Sequence, residues 1–227
     1  MLVACVSTKG GCSKTTLATN LACIAVRQGQ SALLVDGDLQ RSSIFWRGER
    51  SDDAPARIQA IGMPTNTIHK DLPRLAATYD FTCIDVGGRD TNVLRSALLA
   101  CGRGVVKPEG GIVIIPCQPS QLDLWGLSDT MDLLETARTF TEINSYTLLT
   151  QIVHGTGSSK KALGAIAALD NAPLLKPLIH SRVAYKNAVE LGLGVIETEP
   201  KGKAAGEIRS LWIELNEICA KMKGESA

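Results

Sequence analysis

Lys9-Gly10-Gly11-Cys12-Ser13-Lys14-Thr15-Thr16 is the stretch on which the reading of this chain turns. It follows an apolar run, Leu2-Val3-Ala4-Cys5-Val6, and opens a helical pattern near Lys14. Strand, glycine-rich loop and helix, in that order, are the setting of a phosphate-binding loop. Backbone N–H groups in such a loop converge on an anion. The helix N-terminus behind them adds partial positive charge, and Lys14 adds a full one. Thr15 is placed to offer its hydroxyl to Mg²⁺. The usual pattern, G-x-x-x-x-G-K-S/T, has glycine where this chain has Thr8 and Ser13. A residue with a Cβ takes the left-handed conformation at a cost of roughly 1–2 kcal/mol, so Ser13 is expected to be strained. The plain alternative is an ordinary glycine-rich turn.

Working outward, Leu17, Leu21, Ile24 and Ala25 recur at helical spacing up to Arg27, and Gly29 supplies a stop. Ala32–Val35 is a short buried-strand run that ends in Asp36-Gly37-Asp38-Leu39-Gln40. Carboxylates at the C-terminal end of a strand lie where open α/β sheets place ligands. A helix over Ile44–Trp46 follows, then a polar connection over 51–66 with a short strand at Arg57–Ile61 and a helix from Ile68 to Ala77. Phe81–Val86 is a third strand carrying Asp85 near its end, followed by Gly87-Gly88-Arg89-Asp90. Acid then glycine at a strand end suits a Mg²⁺ partner and a loop that senses the γ-phosphate.

The alternation continues with a helix over Asn92–Ala100, a strand at Ile112–Ile115 closed by Pro116, and a helix from Gln121 to Arg138. Then come a strand at Tyr146–Leu149, a helix at Ser159–Leu169 and a last strand at Leu174–Ile179. Helices over Arg182–Leu191 and Ala204–Met222 complete the chain. Strands alternating with helices, without hairpin signals, predict a single doubly wound, mostly parallel sheet with helices on both faces. One domain spanning residues 1–227 is expected.

Of the 227 residues, 44% are hydrophobic and 21% charged, an ordinary globular balance. A net charge of +1 provides no global field for nucleic acid or anionic lipid, so any such binding needs a local patch. Neither a leader pattern nor a membrane-length apolar run is present, and a cytoplasmic protein is expected. The seven cysteines form no C-x-x-C pair and no zinc spacing, and they read as buried free thiols. Cys12 alone sits where a helix N-terminus lowers a thiol pKa.

With the three strand-end motifs in place, the chain resembles the ParA/MinD-type ATPases, the deviant-Walker P-loop family, closest to the small ParA type of plasmid and chromosome partition. Lys9-Gly10-Gly11 through Lys14-Thr15-Thr16 carries that family's extra lysine. Val35–Gln40 resembles its second motif, with Leu39 where proline is usual, and Tyr79–Gly88 resembles its Walker B segment. Ile115-Pro116, Pro119-Ser120, Asp123, Arg182, Tyr185, Ala188, Gly192 and Val195-Ile196-Glu197 extend the likeness along nearly the whole chain.

The resemblance implies the cofactors ATP and Mg²⁺ and a slow ATPase. Lys9, Gly10, Gly11, Cys12, Ser13, Lys14, Thr15 and Thr16 would bind nucleotide. Thr15, Asp36 and Asp85 would hold Mg²⁺, the carboxylates through water. Lys9, Lys14 and Asp38 would be catalytic, with Asp38 orienting the attacking water and Lys9 reaching the partner subunit's phosphates. It further implies an ATP-dependent homodimer that binds non-specific DNA on the nucleoid and is stimulated by a ParB-like, centromere-binding adaptor. Lys160, Lys161, Lys186, Lys201, Lys203 and Arg209 are the candidate DNA contacts, although Glu190, Glu197, Glu199 and Glu207 interleave with them.

The sequence is open to three other readings. A MinD-like membrane helix would use the stripe Leu211, Leu215, Ile218 and Met222, but Glu214 and Glu217 oppose anionic lipid, and packing on the sheet explains the stripe better. An iron–sulfur carrier would need exposed cysteine pairs. A nucleotide-gated scaffold would follow if Ser13 disabled turnover.

Overall fold

Short runs of Val, Ile, Leu and Ala stay in a sheet only when both of their faces are covered, and helices cover both faces here. The computed structural model describes residues 1–51, 53–54, 57–88, 91–153, 164, 166 and 171–224. Six strands form one sheet: β1 (Leu2–Val6), β2 (Ala32–Asp36), β3 (Gln59–Gly62), β4 (Phe81–Val86), β5 (Ile112–Cys117) and β6 (Asn144–Leu149). Their spatial order is β3-β2-β4-β1-β5-β6 and every pairing is parallel. The doubly wound expectation holds, and the sheet is parallel throughout. All residues of β1, β2, β4 and β5 are buried, whereas the edge strand β3 is not.

The helices between strands are α1 (Lys14–Arg27), α2 (Ser42–Glu49), α3 (Ile68–Ala76), α4 (Thr91–Ala100) and α5 (Gln121–Arg138). After β6 come α6 (Val183–Glu190), the short α7 (Val195–Thr198) and α8 (Lys203–Gly224). Alternate strand residues feed two cores. Val3, Cys5 and Cys83 pack with Leu17 and Leu21 of α1 and with Ile208, Leu211 and Leu215 of α8. Leu2, Ala4 and Ile84 pack with Leu72 of α3, Leu94 and Leu98 of α4, and Leu134 of α5.

The α8 stripe therefore belongs to the protein interior. Leu211 and Leu215 are fully buried, and Trp212 meets Phe81 edge-on with ring centroids 5.3 Å apart. Among the described residues no helix is long and apolar enough to cross a membrane. Arg50, just past α2, forms a two-pronged ion pair with Glu197 of α7 at 2.6 and 2.9 Å, with both side chains buried. This pair ties the segment after β2 to the far end of the chain.

Two expectations need correction. Pro116 does not close β5 but lies inside it, paired with Leu148 of β6. Its missing N–H is tolerated because β1, on the other side, pairs with β5 only as far as Ile114. Leu174–Ile179 is not a strand. It runs beside β6 through separate parallel bridges, Thr147 with Leu174 and Ile152 with His180. Pro173 and Pro177 have no N–H to give, so the ladder cannot continue. The helix expected at Ser159–Leu169 lies outside the described residues, apart from helical Gly164 and Ile166. The four-residue α7 carried no periodic signal and was missed.

Candidate functional site

The ends of β1, β2 and β4 meet because parallel register aligns them. Asp36 stands opposite Asp85 across β2 and β4, and Val6 stands opposite Val86 across β1 and β4. The Lys9–Thr16 loop thus emerges beside both carboxylate-bearing strand ends. Thr15 Oγ1 donates to Asp85 Oδ2 at 2.7 Å, and Ser43 Oγ of α2 donates to the same oxygen at 2.7 Å. Asp36 accepts the amides of Asp38 and Ile44, both at 3.0 Å. These are hard oxygen donors of the kind Mg²⁺ selects.

Burial pushes the Asp85 carboxyl up to about 6, opposed by the Ser43 and Thr15 hydroxyls and aided by the neighbouring Asp36 charge. Asp36 is raised as well, again by burial first, with backbone N–H groups holding it back. Two buried carboxylates side by side, short of positive charge, are what a cation site requires. The chemistry of the donor set fits Mg²⁺.

Lys14 is buried, and its Nζ donates to the Lys9 carbonyl at 2.6 Å. Ser13 has φ 76° and ψ 18°, the left-handed conformation expected at this position. The surroundings hold it there. Gln151 Nε2 donates to Gly11 O at 2.6 Å and to Ser13 Oγ at 3.1 Å. Gln118 Nε2 also donates to Gly11 O, at 2.9 Å, and Thr150 Oγ1 donates to Cys12 O at 3.2 Å. Replacing Ser13 with glycine is expected to raise stability by about 1 kcal/mol, since it removes the Cβ penalty and forfeits one part-buried hydrogen bond. A thermal melt checks this, and an unchanged or lower midpoint would mean the serine contact outweighs the strain.

Thr8 needs no left-handed φ; among the described non-glycine residues only Ser13, Arg41 and Gln151 have positive φ. Its amide donates to Thr130 Oγ1 at 3.1 Å and its hydroxyl to Gly126 O at 2.9 Å, so α5 holds the loop's first turn. The close approach falls to glycines on other segments. A Cβ on Gly88 would lie 2.1 Å from Thr8 O, and one on Gly87 1.7 Å from Asp38 Oδ2. Asp38 therefore lies over Gly87, while its own Oδ1 accepts the Gln40 amide at 2.9 Å. The stem of Lys9 crosses α5 at Gly126, where a Cβ would sit 2.3 Å from Lys9 Cγ.

A cavity of about 410 Å³ adjoins the loop, between Ser13 and Thr16 on one side and Ile179, Arg182, Tyr185 and Val189 on the other. Arg182 is fixed by Glu207 at 2.7 Å, which also accepts the Tyr185 hydroxyl at 3.0 Å.

The structure thus gathers Lys9, Gly10, Gly11, Cys12, Ser13, Lys14, Thr15, Thr16, Asp36, Asp38 and Asp85 at one sheet edge. Cys12 is buried, its thiol donating to Lys9 O, and all seven cysteines are free and buried. Arg89 and Asp90 lie outside the described residues, as do Lys160 and Lys161. Lys186, Lys201, Lys203 and Arg209 are exposed. Sequence reasoning missed Ser43, Gln118, Thr150, Gln151 and Thr130, which lie dozens of residues or more from the atoms they bind. Only Gly126, a glycine inside a helix, offered a signal of close approach.

A glycine loop between β1 and α1, with Lys14 and Thr15 at its end and two carboxylates beside it, defines a P-loop nucleotide-binding protein. The chain belongs to the CobQ/CobB/MinD/ParA nucleotide-binding domain family, whose model matches residues 3–209. It is 28% identical over 213 residues to maintenance of carboxysome distribution protein A of Halothiobacillus neapolitanus, covering 92% of each chain. Its fold matches apo McdA of Cyanothece with a TM-score of 0.75 at 17% identity, covering 95% of this chain and 98% of that one. It also matches the septum site-determining protein MinD of Pyrococcus horikoshii, solved with Mg-ADP. There the TM-score is 0.67 at 20% identity, covering 100% of this chain and 98% of that one. A variant of the Cyanothece protein is solved with ATP, in keeping with ATP and Mg²⁺ as the ligands of this family.

Proposed function

We propose that this chain is an ATP-driven positioning switch: it dimerises on ATP, binds non-specific DNA as a dimer, and releases it when an adaptor on its cargo stimulates hydrolysis. The convergence of Lys14, Thr15, Asp36, Asp38 and Asp85 on one loop carries this reading. Backbone N–H groups of Gly10 to Ser13 cradle the β-phosphate, and the Lys14 ammonium bridges the β- and γ-phosphates. Thr15 gives its hydroxyl to Mg²⁺, while Asp36 and Asp85 accept from the ion's water shell. When bound, Mg²⁺ neutralises phosphate charge and orients the oxygens. Asp38, lying over Gly87, orients the attacking water, and Lys9 faces the partner subunit's phosphates. Positioning and charge account for nearly all the catalysis in phosphoryl transfer. The cavity beside Ser13 and Thr16 takes the nucleoside.

The likeness to a carboxysome distribution protein supports a protein-based cargo. Segregation of plasmid or chromosomal DNA through a ParB-like adaptor is the second reading, which the original resemblance to ParA favours. In either case the DNA contact is made to phosphates. Exposed Lys186, Lys201, Lys203 and Arg209 are the candidates, with Lys160 and Lys161 beyond the described residues.

Sedimentation with and without ATP, repeated with non-specific DNA at two salt concentrations, tests the switch. Co-sedimentation that needs ATP and weakens steeply with salt is the expected result. A monomer under all conditions would overturn it. Asp38→Ala is expected to slow hydrolysis by about 100-fold while ATP still binds, trapping the dimer. Turnover at the unaltered rate would remove Asp38 from the chemistry.

A further inference from the structure

A second cavity, of about 420 Å³, lies on the other core's side, walled by α3, α4 and the end of α5. Its walls are apolar at Leu99, Val105 and Phe140, with polar groups from Arg95, His69 and Thr136. Val105 and Phe140 belong to the connections that lead into β5 and β6, at the edge of the sheet opposite the Lys9–Thr16 loop. The volume lies within the range of small-molecule sites.

The walls are fixed by tertiary contacts. His69 Nδ1 lies 2.8 Å from Ser96 Oγ, and the same hydroxyl accepts the His69 amide at 3.3 Å, locking α3 to α4 beside Arg95. Below them, Arg103 N donates to Glu142 O at 3.0 Å, and a Cβ on Gly102 would meet Thr141 Cγ2 at 2.3 Å. The floor where the α4 and α5 connections meet is therefore close-packed.

Arg95 is the unexplained group. It is half-buried, its Nε is shut off from solvent without a hydrogen-bond partner, and among the described residues it forms no ion pair. No carboxylate lines the cavity among the described residues. His69 does not share the positive charge, because burial and the nearby Lys70 ammonium lower its pKa and keep it neutral near pH 7. The orphaned Nε lies behind the cavity wall, while the terminal nitrogens of this half-buried side chain are not shut off from solvent and stay open to an anion. An aliphatic or aromatic body would lie against Leu99 and Val105, with the exposed Phe140 ring at the rim.

We propose that this cavity binds a small organic acid, a carboxylate carried on an apolar body, with Arg95 pairing the carboxylate and Leu99, Val105 and Phe140 receiving the body. The site is separate from the nucleotide loop and does not depend on the reading of that loop.

Isothermal titration of the full chain with 3-phenylpropionate and with its uncharged analogue 3-phenylpropanol tests the proposal. The acid is expected to bind about tenfold more tightly than the alcohol, the usual weight of a hydrogen bond to a charged group. Arg95→Gln is expected to erase that preference, and Thr136→Trp, at an exposed helix position that fills the cavity, to weaken both ligands. Lys14→Ala must leave acid binding unchanged, because the nucleotide loop is the other place an anion could lodge. Equal binding of acid and alcohol, a preference that survives Arg95→Gln, or loss of acid binding in Lys14→Ala would each overturn the proposal. Thermal melts of Arg95→Gln and Thr136→Trp close to that of the unaltered chain establish that the comparison is made on folded protein.

Discussion

Lys14→Ala is expected to lower ATP affinity by about 100-fold or more while leaving the fold intact. The ammonium is buried inside the loop and is held 2.6 Å from the Lys9 carbonyl, so it is aimed inward, not toward solvent. Taking one partner from a buried, hydrogen-bonded charge pair costs roughly 3–5 kcal/mol, and phosphates bound in this loop would lose such a partner. The backbone N–H groups and the α1 N-terminus stay in place, but they supply only partial charge. The fold has little to lose, since the side chain makes one strong internal hydrogen bond, and the carbonyl of the half-buried Lys9 still accepts from the Cys12 thiol. Isothermal titration with ATP and Mg²⁺, alongside a thermal melt, checks both halves. Affinity within about threefold of the unaltered chain would remove Lys14 from the role, since that corresponds to less than about 1 kcal/mol.

Asp85→Asn is expected to have opposite effects on stability and on function. Burial raises the Asp85 carboxyl from its ordinary 3.8 to about 6, which means the ionised form is disfavoured in the folded protein. For a group whose folded pKa lies above its unfolded one, the folded state binds the extra proton. This contribution is therefore favourable at low pH and is lost as the pH rises through the interval from 3.8 to about 6. Without nucleotide and metal, the unaltered chain near pH 7 carries the whole penalty. Asparagine presents an uncharged oxygen to the Thr15 and Ser43 hydroxyls and removes it. A gain of about 3 kcal/mol at pH 7 is expected, or roughly 9 °C in midpoint for a chain of this size. The difference between the two proteins should shrink toward pH 4. Stabilisation of the unaltered chain by Mg²⁺ and nucleotide should fall sharply in the variant, because the ion loses one of its two buried charges. Melts at three pH values, with and without Mg-ATP, separate these effects. A variant less stable at pH 7 would show that the hydroxyl pair needs the charge.

Much of this site was legible because its chemistry is local. Lys14 follows its loop within a few residues, and Asp36 and Asp85 each sit at or one residue from the end of an apolar run, so composition and spacing alone marked them. The supports of the site were not legible. Thr8 looked like a defect in the pattern, yet it needs no glycine: α5 holds it through Gly126 and Thr130, and the close approach is made by Gly88. Ser13 did take the left-handed conformation, but what keeps it there is Gln118, Thr150 and Gln151, more than a hundred residues away. Leu174–Ile179 read as a strand by apolar content, and two prolines beside β6 decided otherwise.

By itself the sequence determined the alternation of strand and helix, the phosphate loop and the acids that face it. These rest on 3.6- and 2-residue periodicity and on side chains close in the chain. Only the tertiary structure decided the strand order that sets β4 between β1 and β2 and so brings Asp85 to both Thr15 and Asp36. It likewise decided which distant amides hold the loop, and it left the Arg95 Nε without a hydrogen-bond partner among the described residues. Such outcomes depend on packing between segments far apart in the chain, and the spacing of residues along one chain does not record that packing.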